Sequence, residues 1–408
     1  MWRNTPSECL NFKKGSGIVD KEAVLLALVR NVICGDTITD ETKTACTEAM
    51  LESVYMLAAK HDLAHLVGQA VGKLGLPNSE ILTKCKRAAM SAFLNHARQD
   101  RDFHRICDAL EKAKISFIPL KGAVLRKHYP EAWMRSSCDV DILIQKADLD
   151  AASALMTGEL GFAYADRTGH DVSFISPDGV HIELHFDLIE DGRANASNSV
   201  LRSVWEDAQP ADGSQYWYVM SDRFFYFYHI AHMAKHVETG GCGIRPFIDL
   251  WLLDNVVKGD LSARDELLQT GQLLSFATAA RKLSRVWLAG EEKDSLSVRL
   301  ENFLLHGGVY GSTDNRVALH RESRGGKIGY LLSRIFAPFD KLKSYYPILE
   351  KHPYLMPIMQ VRRWLLLLRP DVARRARNEI SINNKAKQSP TDAADSLLSD
   401  LGIHSSAW

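Results

Sequence analysis

The feature that most limits the fold of this chain is a change in hydrophobic period near residue 114. Before it, apolar residues recur every three or four positions, as in KEAVLLALVRNVICG, which Asp20 can cap and Gly35 can end. A second stretch, Thr39 to Gly75, places Met50, Val54, Leu57, His61 and Ala64 at helical spacing. A third runs from the N-cap candidate Ser79 to Lys112 without glycine or proline, which predicts a long helix with at most one break. From Ile115 the pattern becomes strand-like. ISFIPL is a short apolar run, CDVDILI puts Val140, Ile142 and Ile144 on one face, and VHIELHFDL alternates throughout. ADLDAASALMTGELG reads as a helix among them, FAYAD and DVSFISP as strands, and the PDG at 177–179 as a hairpin turn. After Gly192 the helical period returns, with Ser221 or Asp222 capping RFFYFYHIAHMAKHVETGG.

These periods predict an α+β chain, a small mixed-sheet core flanked by helical domains. The expected parts are a helical N-terminal region (1–113), the core (114–192), a second helical domain (193–305), a linker with a helical C-terminal extension (306–370), and a flexible, polar tail (371–408). The chain of 408 residues, with 50 basic and 50 acidic side chains, has no net charge. That argues against a nonspecific nucleic-acid binder, which needs a basic surface. Seven scattered cysteines with no CxxC exclude a zinc ribbon and a disulfide framework and suit a reducing compartment. With no run of eighteen apolar residues and no signal-peptide pattern, the expected location is the cytoplasm. Nothing in the composition speaks to the oligomeric state.

The chemistry concentrates in carboxylates. Asp139 and Asp141 are two apart on one strand and so project from one face; on the later strand His181, Glu183 and His185 share the face opposite Val180, Ile182, Leu184 and Phe186. If the two strands are neighbours, Asp139, Asp141 and Glu183 converge. Convergent carboxylates repel, and a divalent cation relieves the repulsion, with oxygen ligands favouring Mg2+ or Mn2+. Two such ions about 4 Å apart can activate an attacking oxygen and stabilise a departing pyrophosphate. A solvated strand face is the plain alternative. Relief of repulsion also predicts that Asp139→Asn and Asp141→Asn leave stability unchanged or raised. Upstream, PLKGAVLRKHY is a strand meeting a glycine turn and a helix, where Gly122 can bring backbone N–H groups to phosphate oxygens and Lys121 can add charge. Arg135 is a further candidate phosphate ligand, or a rim residue.

This order of elements resembles the polymerase-beta-like nucleotidyltransferases, and more closely the bacterial family of uncharacterised nucleotidyltransferases. The resemblance rests on LKGAVL (120–125), Tyr129, Arg135, DVDILI (139–144), Gly161-Phe162 and ELHFDL (183–188). It continues through HMAKH (232–236), GIRPFIDL (243–250) and IFAPFDKLKSYYPILEKHPYLMP (335–357), and so covers roughly residues 85 to 368. It implies a metal-dependent transfer of a nucleoside monophosphate from an NTP to a hydroxyl or phosphate acceptor, with two Mg2+ or Mn2+ ions held by Asp139, Asp141 and Glu183. It places Gly122 under the nucleotide phosphates, and residues 193–305 as the helical domain closing the cleft. One departure is clear: the superfamily usually has Gly-Ser or Gly-Gly at the turn, whereas Ala123 follows Gly122 here, and Lys121 is the expected substitute for the missing hydroxyl.

His229, His232 and His236 lie on one helix face beside Lys235, open to zinc ligation, core hydrogen bonding or substrate contact. The expected second wall of the site is His232, Lys235, His236 and Arg245, with Arg245 also spaced to pair with Asp249. The acceptor, a small molecule or a protein as for antitoxin-type enzymes, is not written in the sequence. A noncatalytic nucleotide-binding or scaffold protein on the same fold is the competing reading.

Overall fold

A computed structural model describes residues 20–189, 195–308, 311, 336, 337, 339, 342, 343, 346, 348–366 and 388–403. The expected polar linker therefore lies almost wholly outside the described residues, as does the first part of the expected tail.

The N-terminal helices are α1 (Lys21–Ile33), α2 (Asp40–Ala45), α3 (Glu48–Lys60), α4 (Ala64–Val71) and α5 (Glu80–Lys112). The stretch from Thr39 to Gly75 is three helices. Thr39 and Thr47 each accept a bond from a backbone N–H three residues on, starting α2 and α3, and Asp62 at φ +56° turns the chain out of α3. The long helix is unbroken. Its 33 residues, capped by Ser79, extend about 50 Å, long enough to touch both the N-terminal bundle and the sheet.

The core adds β1 (Phe117–Pro119), α6 (Lys121–Leu125), β2 (Asp139–Ile144), α7 (Leu149–Gly158), β3 (Ala163–Arg167), β4 (Asp171–Ile175) and β5 (His181–His185). The sheet is mixed, in the order β1-β2-β5-β4-β3, with β5 inserted parallel to β2 and the other pairs antiparallel. One face buries Val140, Ile142, Ile144, Phe174, Ile182 and Leu184 against the C-terminal half of α5 and against α7. The other carries Asp139, Asp141, Glu183 and His185 and looks toward the helices that follow.

Those are α8 (Ala196–Leu201), α9 (Val204–Asp207), a small ribbon of β6 (Gln209–Pro210) and β7 (Tyr218–Val219), α10 (Asp222–Glu238), α11 (Arg245–Leu252), α12 (Leu261–Thr270), α13 (Leu274–Ala289) and α14 (Ser295–Gly307). Ser221 caps α10 by accepting from the Phe224 N–H. The helical half forms one core with the N-terminal bundle, in which Leu25, Val67, Phe227, Phe247 and Trp287 are fully or almost fully buried. After α15 (Ile348–Lys351) and α16 (Met356–Leu366), the last of the described helices is α17 (Gln388–Asp400). The expected flexible tail is thus corrected over 388–403. Leu397, Leu398 and Leu401 are buried in the main core, because their i, i+1, i+4 spacing gives an otherwise polar helix one apolar edge. None of the described helices is long and apolar enough to cross a membrane, and Cys34, Cys46, Cys85, Cys107, Cys138 and Cys242 are free thiols.

The docking of α17 is directly measurable. Leu401 is completely buried, so Leu401→Ala is expected to cost about 2–5 kcal/mol in denaturant unfolding. An undocked tail would leave the midpoint unchanged.

Candidate active site

Parallel pairing of β2 with β5 sets Asp141 directly opposite Glu183, and Asp139 opposite His181. Asp141 is almost fully buried. His185, buried on the same face, puts Nε2 3.1 Å from Asp141 Oδ1 and 3.3 Å from Glu183 Oε2. Lys121, at the start of α6, brings Nζ within 3.8 Å of Asp141 Oδ2. Its φ of +34° is a backbone that residues with a Cβ rarely adopt, a local strain of the kind found at working sites.

The electrostatics separate the two aspartates. Burial disfavours the charged form of Asp141, but Lys121 and the hydrogen bond and charge of His185 outweigh it and hold the carboxyl well below its ordinary value. Asp139 moves the other way, because burial and the neighbouring Asp141 charge favour its protonated form, with only partial relief from Lys121 and a 2.8 Å hydrogen bond from the Ser137 hydroxyl. For His185 burial favours the neutral ring, yet hydrogen bonds to Asp141 and Glu183 raise it to about 9. The expectation of equal stability effects is therefore revised. Asp139→Asn relieves repulsion, whereas Asp141→Asn removes the carboxylate that meets the half-buried Lys121 and the buried His185.

Ligand atoms of Asp141, Glu183 and His185 lie within 4.8 Å of one another. Two carboxylates and an imidazole within that span suit a divalent cation, and Asp139, in the same field, completes the charge. No comparable group of three among the described residues includes His232 or His236. Instead their Nε2 atoms lie 3.1 Å apart, and burial followed by the nearby Lys121 charge keeps His232 neutral. His229 contacts the Pro246 carbonyl at 2.9 Å and braces α10 on α11. His232 and Lys235 line a cavity of about 250 Å3 together with Lys121, His185, Asn195 and Gln272. His236 stands behind His232.

The two arginines are placed differently from expectation. Arg135 is buried and gives Asp249 a forked ion pair, Nε to Oδ1 at 3.3 Å and Nη2 to Oδ2 at 3.0 Å, while the Tyr129 hydroxyl donates to the same carboxylate at 2.7 Å. That pair ties the loop before β2 to α11, so the guanidinium is committed to Asp249. Arg245 does not pair with Asp249. It binds the Asp62 carboxylate at 2.6 Å and the Ser136 carbonyl at 3.0 Å, because the left-handed turn at Asp62 presents that carboxylate to it. A cation missed from sequence is Arg126. It is buried, donates from Nη2 to Gln99 Oε1 at 3.1 Å, has no carboxylate in ion-pair contact among the described residues, and leaves its Nε without a partner. A Cβ placed on Gly122 would lie 3.1 Å from Arg135 Nη1, 3.4 Å from Ser137 Oγ and 3.6 Å from Arg126 Nη2, so only glycine admits these groups without displacement.

The family model described as uncharacterised nucleotidyltransferase matches residues 47–289. The chain belongs to that family. The match takes in the sheet, most of the cavity lining and most of the N-terminal bundle, while α14 and everything after it, including the cavity-lining Gly402 and Ile403, lie outside. No curated protein and no solved structure matches the chain.

The Arg135–Asp249 pair generates a stability prediction. Asp249→Asn leaves a buried guanidinium without its counter-charge and is expected to cost about 3–5 kcal/mol at pH 7. Burial opposes the charged Asp249, but Arg135 holds its carboxyl below the ordinary value. Its contribution is thus present above the unfolded-state carboxyl value and lost as pH falls through the lower native one. Denaturant unfolding should show the gap between the two proteins narrowing in acid; a gap independent of pH would exclude the pair as its source.

Proposed function

We propose that this chain transfers a nucleoside monophosphate from an NTP to an acceptor hydroxyl or phosphate and releases pyrophosphate. The observation that carries the reading is the pairing of Asp141 with Glu183 on the sheet face, next to Lys121 and His185, which line a cavity, in a chain of this family. Asp139, Asp141 and Glu183 would hold Mg2+ or Mn2+, which when bound lowers the acceptor's pKa and offsets charge on the phosphates. Glu183, partly exposed at the cleft, is the group placed to take the acceptor's proton.

The basic groups divide the remaining work. Lys121 is shared between Asp141 and the cavity and can follow negative charge as it moves to the leaving group. Arg126 takes the phosphate role that sequence reasoning assigned to Arg135. A buried guanidinium without an acid costs several kcal/mol unless an anion meets it, and an NTP supplies one next to Gly122. The cavity, about 250 Å3 and walled by His232, Lys235, Asn195 and Gln272, favours a small-molecule acceptor over a protein segment.

Purified protein, labelled NTPs, Mg2+ or Mn2+ and a small-molecule extract provide the test, with transferred label as the readout. Asp141→Asn is expected to slow transfer by at least about a hundredfold, or about 2.7 kcal/mol, and to lower the melting temperature. Asp139→Asn should slow it as well but melt at or above the parent. Full activity in both variants would remove these carboxylates from the chemistry.

Arg126→Met gives a separate prediction for the phosphates. An apolar side chain of similar length should leave stability unchanged or raised, while the loss of a charge-assisted contact, about 1.5–3 kcal/mol, weakens NTP binding by about tenfold or more. Equal affinities in calorimetric titration would return Arg126 to a packing role.

A further inference from the structure

Nothing in the family match assigns a role to His185, and its position is unusual for a residue that only fills space. It is 5% exposed and lies at the sheet end of the cavity, with Nε2 between Asp141 Oδ1 and Glu183 Oε2. A surface histidine beside a carboxylate is common; a buried one that touches two, with ligand atoms of all three within 4.8 Å of one another, completes a set that could hold one cation. Its other neighbours point the same way. Asp171 is its register partner across β4 and β5, and ligand atoms of His170, Asp171 and His185 lie within 4.8 Å of one another. Asp171 is buried, accepts from His170 Nε2 at 3.0 Å, and leaves Oδ1 without a hydrogen bond.

We infer that His185 is a nitrogen ligand of the divalent cation, beside Asp141 and Glu183. The inference rests on the nucleotidyl-transfer reading only for its choice of a divalent cation as occupant. An all-oxygen set suits Mg2+, whose octahedron is built from carboxylates, phosphates and water. An imidazole in the set moves preference toward Mn2+ and later first-row ions. The site is therefore selective for Mn2+ over Mg2+, and the selectivity resides in one side chain.

Pulsed electron paramagnetic resonance of the full chain loaded with Mn2+ reads the bond itself. The expected result is nitrogen modulation from a directly bound imidazole, lost in His185→Gln and retained in His181→Gln, whose ring lies 3.6 Å from Glu183. Calorimetry should show Mn2+ binding more tightly than Mg2+ in the parent, with Mn2+ affinity falling about tenfold or more in His185→Gln and Mg2+ affinity changing little. His185→Asn serves as the second variant if the glutamine variant does not fold, and melting curves establish that each is native. Bound Mn2+ without nitrogen modulation overturns the inference, as does modulation that survives both His185 variants or a parent that binds no Mn2+. Failure here leaves metal-dependent transfer standing, because oxygen ligands alone can support it. Failure of the transfer reading shows instead as a nitrogen signal in a protein that turns over no NTP.

Discussion

Negative charge placed inside a protein must be met by positive charge, and around the Asp141–Glu183 pair that requirement organises three separate parts of the chain. Parallel pairing of β2 and β5 fixes the two carboxylates side by side. Lys121 meets them from the first residue of α6, and His185 from two residues farther along β5. These groups can converge only if β5 inserts between β2 and β4, so the mixed strand order is a condition of the site. The strained backbone at Lys121 fits the same account, since a relaxed turn would aim that side chain elsewhere.

A second set of ion pairs, one buried and one partly exposed, holds the walls in place. Arg135 to Asp249 and Arg245 to Asp62 join the loop before β2 to α11 and to the α3–α4 turn. Tyr129 adds a third donor to Asp249. These are contacts between segments separated by more than a hundred residues. They fix the distance between the acidic face of the sheet and the helices opposite, and with it the width of the cavity. The long helix α5 works on the other side: Gln99 donates to the Ser137 carbonyl and accepts from Arg126, so the segment between α6 and β2 is braced by a helix that begins in the N-terminal bundle. The N-terminal helices are thereby part of the site's support.

Much of the site was legible because strand alternation is local. A period of two decides that Asp139 and Asp141 share a face, and that Glu183 and His185 share another, whatever the rest of the chain does. What those faces meet is not local. Arg135 looked available for phosphate because its partner, Asp249, is 114 residues away. Arg245 and Asp249 looked like a helical i, i+4 pair, but stronger geometry was available to each elsewhere. Arg126 carried no signal in AVLRKHY; its burial comes from α5 packing across it. His185 did carry one, since it faced the same way as Glu183, but its two contacts appear only when β5 lies against β2.

The sequence by itself determined the element types, the apolar and acidic faces of each strand, and the caps at Asp20, Ser79 and Ser221, because each depends on spacing within a few residues; the turn expected at Gly122 is instead the second residue of α6, with the unusual backbone at Lys121. The sequence misjudged the C-terminal segment, where three leucines on a polar helix weigh little until a core is present to receive them. The tertiary structure alone decided which strand lies beside which, which cations answer which carboxylates, and how the cavity between β5 and α10 is closed. Those outcomes are set by the cost of burying charge and by the geometry of long-range packing, and neither can be read from residues that are neighbours only in the chain.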